Sequence, residues 1–237
     1  MIALTDSRAN EKSICRLESL GFEVMLMPPS TSLQAAVASH TDMLVFIGFG
    51  RLFCHVCYYE ANKYLIDSIA QAASLNISLS HEEWSQNYPH DVLFNACLVG
   101  NRLICNTKTV SKYILDEARK AGAEIVNVSQ GYTKCSICIV SENAVITSDR
   151  QIANACKNVG IDVLLISEGH ISLPPYDFGF IGGTSGMCGD SVYFCGSLSR
   201  HPDKGKINEF CTKHGQKTIP LSDGILQDVG SIMFIGE

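Results

Sequence analysis

Charge is scarce in this chain of 237 residues. Asp, Glu, Lys and Arg make up 18% of it, against roughly a quarter in an average soluble domain. Hydrophobic residues reach 46%, which excludes disorder, since a disordered chain is apolar-poor and charge-rich. Cations are the scarcer sign: 18 Lys and Arg face 24 Asp and Glu, for a net charge of −6. A dedicated nucleic-acid binder needs clustered cations to displace counterions, so no nucleic-acid partner is expected. Long apolar runs are missing too. The longest, around Met43–Gly50, has about eight residues, too few to cross a bilayer, and no membrane partner is expected. Met1-Ile-Ala-Leu-Thr-Asp6 lacks the basic start and apolar run of a secretory signal.

Cysteine, by contrast, is abundant. Eleven cysteines would suggest a disulfide framework in a short secreted chain. Without a secretory signal, the expectation is a reducing cytoplasm in which most are small buried apolar side chains. That count leaves room for one reactive thiol.

The length allows one large domain or two small ones, and an internal repeat decides for one. Ser19-Leu-Gly-Phe-Glu-Val-Met-Leu26, Lys120-Ala-Gly-Ala-Glu-Ile-Val-Asn127, Asn158-Val-Gly-Ile-Asp-Val-Leu-Leu165 and Lys213-His-Gly-Gln-Lys-Thr-Ile-Pro220 share one grammar. An amphipathic helix ends at a glycine and a strand follows. Ser74-Leu-Asn-Ile-Ser-Leu79 is a weaker fifth copy. Glycine tolerates the left-handed backbone that ends a helix, and asparagine is next best. The expected caps are Gly21, Asn76, Gly122, Gly160 and Gly215.

A pair of short apolar strands about a polar turn precedes each helix. The pairs are 42–47 with 51–54, 91–99 with 102–105, 135–140 with 144–147, and 178–182 with 191–195. The fifth is split: 229–236 runs to the C-terminus and Ile2-Ala-Leu-Thr begins at the N-terminus. Joined, the two ends complete one unit, as in a ring closed by its own termini. The helices are expected at 60–73, 112–121, 150–159, 204–214 and 10–20, with helical apolar spacing such as Ile114, Leu115 and Ala118. The units cover approximately 226–237 plus 1–30, 31–82, 88–129, 130–168 and 169–225, in a single domain of 1–237. A doubly wound parallel sheet is the competitor, but it predicts one strand per helix.

Five such units resemble the pentein fold, the α/β propeller of guanidino-group-modifying enzymes. The fold class is therefore α/β, a pentein-like five-bladed propeller of hairpin–helix–strand repeats closed by the termini. More closely, the chain resembles an uncharacterised bacterial family assigned to this fold. The segments that carry the likeness are Tyr88-Pro-His-Asp-Val-Leu-Phe-Asn-Ala96, Gly131-Tyr-Thr-Lys-Cys-Ser136, Gly179-Phe-Ile-Gly-Gly-Thr-Ser-Gly186, His201-Pro-Asp203 and Asp228-Val-Gly-Ser-Ile232. The resemblance implies a carboxylate in the second hairpin that binds a guanidinium, matched by Asp91. It also implies a histidine opening the third hairpin, where this chain has Tyr132-Thr-Lys-Cys-Ser. The nucleophilic cysteine it places in the final hairpin is missing from Val229-Gly-Ser-Ile-Met-Phe. Standard amidine chemistry thus lacks two of its three usual parts here, and a rearranged site is the expectation.

In such a ring the hairpins point their inner ends at a central channel, where His40, Asp42, Asp91, Asn95, Lys134, Cys135, Asp228 and Ser231 would converge. Polar groups in a low-dielectric funnel need partners or a ligand. Cys135 is the nucleophile candidate, with His40 and Asp42 assisting; the alternatives are an ordinary buried cysteine and a structural histidine. Asp91 and Asp228 would hold a cation or cap turns. Asn95, Lys134 and Ser231 complete the substrate set. Gly182 and Gly183 either let backbone approach the channel or form a wide hairpin turn.

Cys54-His-Val-Cys57 and Cys135-Ser-Ile-Cys138 have zinc-like spacing, but the latter pair falls in an apolar strand, so no metal is expected. No cofactor is expected either. His201-Pro-Asp203 reads as a helix-start turn. The function expected is hydrolase-like action on a small guanidino, amidine or amide compound at a Cys-based site. The alternative is a non-catalytic pentein that binds a small polar, amino-acid-like ligand or acts as a protein-interaction factor.

Overall fold

A tight turn joins antiparallel strands, whereas parallel neighbours need a crossover long enough for a helix. Both connections recur through the chain. In the computed structural model, which describes residues 1–236, Val45–Gly48 lies antiparallel to Arg51–His55, which lies parallel to Asn76–Ser80. The same three-strand order recurs in Cys97–Val99, Arg102–Cys105 and Glu124–Asn127. It recurs again in Cys138–Ser141, Ala144–Thr147 and Asp162–Leu165, and in Ser185–Cys188, Ser191–Phe194 and Lys217–Pro220. The fifth sheet joins the chain ends: Met233–Ile235 pairs antiparallel with Ile2–Asp6, which is parallel to Glu23–Met27. A short extra pair, Ile171–Ser172 with Leu226–Gln227, ties the last two long connections together.

The helices form where the sequence places caps and apolar stripes. Asp149 accepts hydrogen bonds from the N–H groups of Gln151 and Ile152 and so starts Arg150–Asn158, which buries Ile152, Ala153 and Cys156. Such a cap contributes about 1 kcal/mol. Ser111 does the same for Lys112–Lys120, whose buried face is Ile114, Leu115 and Ala118. Glu11–Ser19 and Lys204–Lys213 complete the set of helices expected as single pieces. His201-Pro-Asp203 is indeed a helix-start turn, in which His201 Nδ1 accepts the Asp203 N–H at 3.1 Å.

Several expectations need correction. The first strands are shorter than 42–47, 91–99, 135–140 and 229–236, and begin at Val45, Cys97, Cys138 and Met233. The helix at 60–73 is two helices, Val56–Ala61 and Lys63–Ala72. They break at Asn62, whose side chain bonds the Tyr58 carbonyl while its backbone leaves helical values. The cap after the second helix is Ser74, at φ +53°, and Asn76 opens the strand instead. The fourth hairpin does not use 178–182. Its first strand is Ser185–Cys188, because the glycines just before it are held against neighbouring backbone rather than in a ladder.

Central strands are the buried ones. Ile2–Asp6 and Ala144–Thr147 have no exposed residue, while the third strands carry exposed positions such as Glu23, Glu124 and Lys217. The largest apolar cluster unites Leu4, Leu52, Phe53, Ile69, Leu103 and Ile114 from three sheets and their helices. Each such side chain contributes about 1.5–3 kcal/mol on burial. Eight of the eleven cysteines are buried and all eleven are free. Burial pushes the thiols of Cys54, Cys97, Cys105, Cys195 and Cys211 up to about 12, which makes them inert wall material. No helix among the described residues is long and apolar enough to cross a membrane.

Candidate functional site

The segment that leads into the first strand of a unit carries the polar residues. Two of these lead-ins are single helical turns, Thr41–Leu44 and Thr133–Ser136. Asp42 and Cys135 therefore sit on helical turns, not on strands as expected. The cysteine pair 135 and 138 straddles the junction of turn and strand, and no group of three or more His, Cys, Asp or Glu side chains could hold a metal ion among the described residues.

Four lead-ins meet at one buried network. The Cys135 thiol donates to Asp42 Oδ1 at 3.2 Å, and Asn95 Nδ2 lies 3.1 Å from the sulfur. Asn95 Oδ1 accepts the backbone N–H of Lys134 at 2.7 Å and of Cys135 at 3.3 Å, which fixes the turn that carries the thiol. Ser231 donates its hydroxyl proton to Asp42 Oδ2 at 2.7 Å and accepts from Lys134 Nζ at 2.8 Å. Asp42 is fully buried. A buried carboxylate is tolerable only when paired and hydrogen-bonded, and here the lysine supplies the countercharge through one hydroxyl. Ser231 stands at φ +73°, a left-handed backbone that costs a non-glycine residue of order 1–3 kcal/mol and that clusters at functional sites.

Above the thiol lies a cavity of about 200 Å³. His40, Asp91, Cys135 and Asp228 line it together with Tyr132, Tyr176, Phe178 and Phe180. Tyr132 donates its phenol proton to Asp91 Oδ2 at 2.6 Å, while Asp91 Oδ1 is buried with no partner. Burial raises the Asp91 carboxyl above its ordinary value, and the Tyr132 bond partly opposes this. Asp228 accepts from the backbone of Phe180 at 2.8 Å and of Gly230 at 3.0 Å. Its carboxyl is also raised, chiefly by burial, with His40 pulling it down and Asp42 pushing it up. His40 is buried between two carboxylates, 3.8 Å from Asp228 through Nδ1 and 3.8 Å from Asp6 through Nε2, and its Nδ1 has no hydrogen-bond partner. Arg8 clamps Asp6 and also donates to the carbonyls of Ala35 and Ala36, which pins the loop bearing Gln34 over the cavity. Tyr176 reaches Gln34 from the other side at 2.5 Å.

The Cys135 thiol is pushed well above its ordinary value by burial first, then by the charges of Asp42 and Asp228. These causes favour the thiol over the thiolate.

Of the residues expected at the site, the structure brings His40, Asp91, Cys135 and Asp228 to the cavity wall. It sets Asp42, Asn95 and Ser231 directly beneath the thiol. The Lys134 side chain turns away from the thiol, to Ser231 and a second cavity. Gly182 and Gly183 do not line the first cavity. A Cβ on Gly182 would meet the Lys134 carbonyl oxygen at 2.4 Å, and one on Gly183 would meet Asp228 Oδ1 at 2.0 Å. Backbone approach, not hairpin turning, is what those glycines provide. Sequence reasoning missed the aromatic wall of Tyr176, Phe178 and Phe180. The only signal was three aromatics within five residues, two of them in the stretch read as a hairpin strand.

Comparison with known proteins places the fold. A model described as "Family of unknown function (DUF6873)" matches residues 4–233. The chain belongs to that family. No curated protein matches it. Among solved structures, DDAH from Pseudomonas aeruginosa, a mutant complexed with citrulline, is 11% identical with a TM-score of 0.55, covering 93% of this chain and 91% of that one. Agmatine deiminase from C. jejuni is 9% identical with a TM-score of 0.57, covering 97% and 94%. The amidinotransferase SxtG from Microseira wollei is 11% identical with a TM-score of 0.56, covering 88% and 72%. This DUF6873 member is thus a mixed α/β protein with the fold of the pentein enzymes. The two stretches where the pentein resemblance expects a histidine and a cysteine hold Tyr132, bonded to Asp91, and Ser231, bonded to Asp42.

Proposed function

We propose that the chain is a single five-bladed pentein domain, built of the units 226–237 plus 1–30, 31–82, 88–129, 130–168 and 169–225. On this reading its aromatic cavity binds a small organic cation of the guanidino or amidine class. One observation carries the proposal: Asp91, which lines a cavity together with four aromatic rings, has a buried carboxylate oxygen, Oδ1, without a partner. An N–H-rich planar cation satisfies that oxygen, stacks on the rings, and offsets the two raised carboxyls at once. The cavity is smaller than the 300 Å³ or more that drug-sized ligands need, which limits the ligand to a small one. The test is calorimetric titration with methylguanidine, acetamidine and agmatine. Wild-type protein should bind at least one of them, and Asp91→Asn should weaken that binding about tenfold or more, the value of a charge-assisted hydrogen bond. Equal affinity in the variant would refute the site.

A second reading adds chemistry, favoured by the Cys135 thiol that faces this cavity and donates to Asp42. On this reading the thiol proton passes to Asp42 and Sγ bonds to the central carbon of the bound amidinium. The carbon–nitrogen bond to one amine then breaks, and the amine leaves with the proton held by Asp42. Water next replaces sulfur at that carbon, which yields a ureido or amide product and returns a proton to the thiol. A bound cation favours the first step because its charge opposes the push of Asp42 and Asp228 on the thiol. Release of ammonia or amine that disappears in Cys135→Ser, with binding retained, distinguishes this from binding alone.

A further inference from the structure

The network under the thiol has a second end. Lys134, whose Nζ bonds Ser231, lines another cavity, of about 180 Å³. All five sheets contribute to it through their first strands or the residues leading into them. Ile47, Leu98, Ile139, Met187 and Phe234 are half-buried there, one from each sheet, so its mouth is apolar and reaches solvent. Among the described residues no Asp or Glu lines it, and Lys134 is the one charged residue that does. The lysine ammonium has three protons to donate, and among the described residues it forms one hydrogen bond, to Ser231 Oγ, and no ion pair. A cation with unused donors in an otherwise largely apolar cavity is complementary to an anion that carries an apolar tail.

We infer that this second cavity is a binding site for a small aliphatic monocarboxylate, its headgroup on Lys134 and its tail among the first strands of the five sheets. The site is separate from the cation cavity and does not depend on the reading given for that one. Charge complementarity selects the headgroup, and the volume holds the tail to a short chain. The two cavities would communicate, because Ser231 relays between Lys134 and Asp42. A carboxylate on Lys134 weakens the positive field that Asp42 feels and thereby holds the Cys135 thiol more firmly in its protonated form.

The test uses hexanoate, followed by ligand-observed NMR and thermal shift on the full chain. Hexanoate should bind wild-type protein and stabilise it, and hexylamine, with the same tail and the opposite charge, should not. Lys134→Arg should keep binding, and Lys134→Met should weaken it about tenfold or more through loss of a charge-assisted bond. Leu98→Trp, which fills the mouth and leaves the buried network untouched, should abolish hexanoate binding while methylguanidine binding is unchanged. Failure of hexanoate to bind wild type would overturn the inference. So would undiminished binding in Leu98→Trp, equal binding of hexylamine, or displacement of hexanoate by methylguanidine, which would put it in the other cavity. Leu98→Trp decides the matter if Lys134→Met does not fold.

Discussion

A cation can use Asp91 and Asp228 only when both are ionised, yet burial raises both carboxyls above the ordinary 3.8. Binding must therefore release protons. Below its raised value, each carboxyl weakens the ligand tenfold per pH unit, the equivalent of 1.36 kcal/mol. With both groups engaged, log Kd falls by about two per pH unit in acid, and the slope flattens once both are ionised. The free protein has the opposite sensitivity. A carboxyl whose folded pKa is raised binds more protons folded than unfolded. Its ionisation therefore costs stability as pH climbs from 3.8 through the raised value, and no further cost is added above it. A bound cation cancels that cost. Titration calorimetry with methylguanidine, in two buffers of different ionisation enthalpy, counts the protons released at each pH. Asp91→Asn should lower the limiting slope by one. Tyr132→Phe removes the phenol that holds Asp91 down, so its profile should shift towards higher pH without a change of slope. A wild-type affinity that is flat with pH, or a slope unaltered in Asp91→Asn, would sink the assignment of Asp91 as the ligand's anchor.

Two further outcomes check the supporting structure. Gly230 has φ +63°, and a Cβ there would lie 2.2 Å from His40 Cβ; Gly230→Ala should cost about 1–3 kcal/mol in urea unfolding, and a loss below a few tenths would mean that the His40–Asp228 contact is not held as described. Cys135 should react with iodoacetamide far more slowly than the exposed Cys15 and Cys57. Asp42→Asn should speed it at fixed pH by removing a negative neighbour; peptide mapping by mass spectrometry reads both, and an unchanged rate would show that Asp42 does not govern the thiol.

The repeat was legible because its signals are local. Gly21, Gly122, Gly160 and Gly215 all adopt the left-handed conformation that a helix-ending glycine implies, and each helix stripe lies within a dozen residues. Where Ser74 took the left-handed position instead, no residue type announced it. Residues 178–182 read as a strand because they are apolar and aromatic. Their backbone is instead set by Asp228, some fifty residues away, which accepts from Phe180 and leaves no room for side chains at Gly179 and Gly183. The site was legible through one rule, that the lead-ins of the hairpins converge, which found Asp42, Asn95, Cys135, Asp228 and Ser231. The direction of Lys134 and the aromatic wall were not, because side-chain direction on a helical turn and the path of a long connection are tertiary properties.

The arrangement of charge explains why a cysteine so placed can be both protected and available. Asp42 faces the thiol on one side and Ser231 on the other, and the nearest compensating cation, Lys134, is a hydroxyl away. The negative charges beside the sulfur thus add to burial in holding the proton on sulfur. A cation in the cavity above adds positive charge near a thiol that Asn95 and Asp42 already contact. Ligand charge then sets thiol reactivity. A neutral ligand of the same shape, such as methylurea in place of methylguanidine, fills the cavity without activating the thiol. If Cys135 is the nucleophile, a probe small enough to reach the sulfur beside a bound cation should react faster than with the empty site, and methylurea should give no such acceleration. Equal effects of the two ligands would mean that shape, not charge, controls the sulfur, and the electrostatic account of the site would fail.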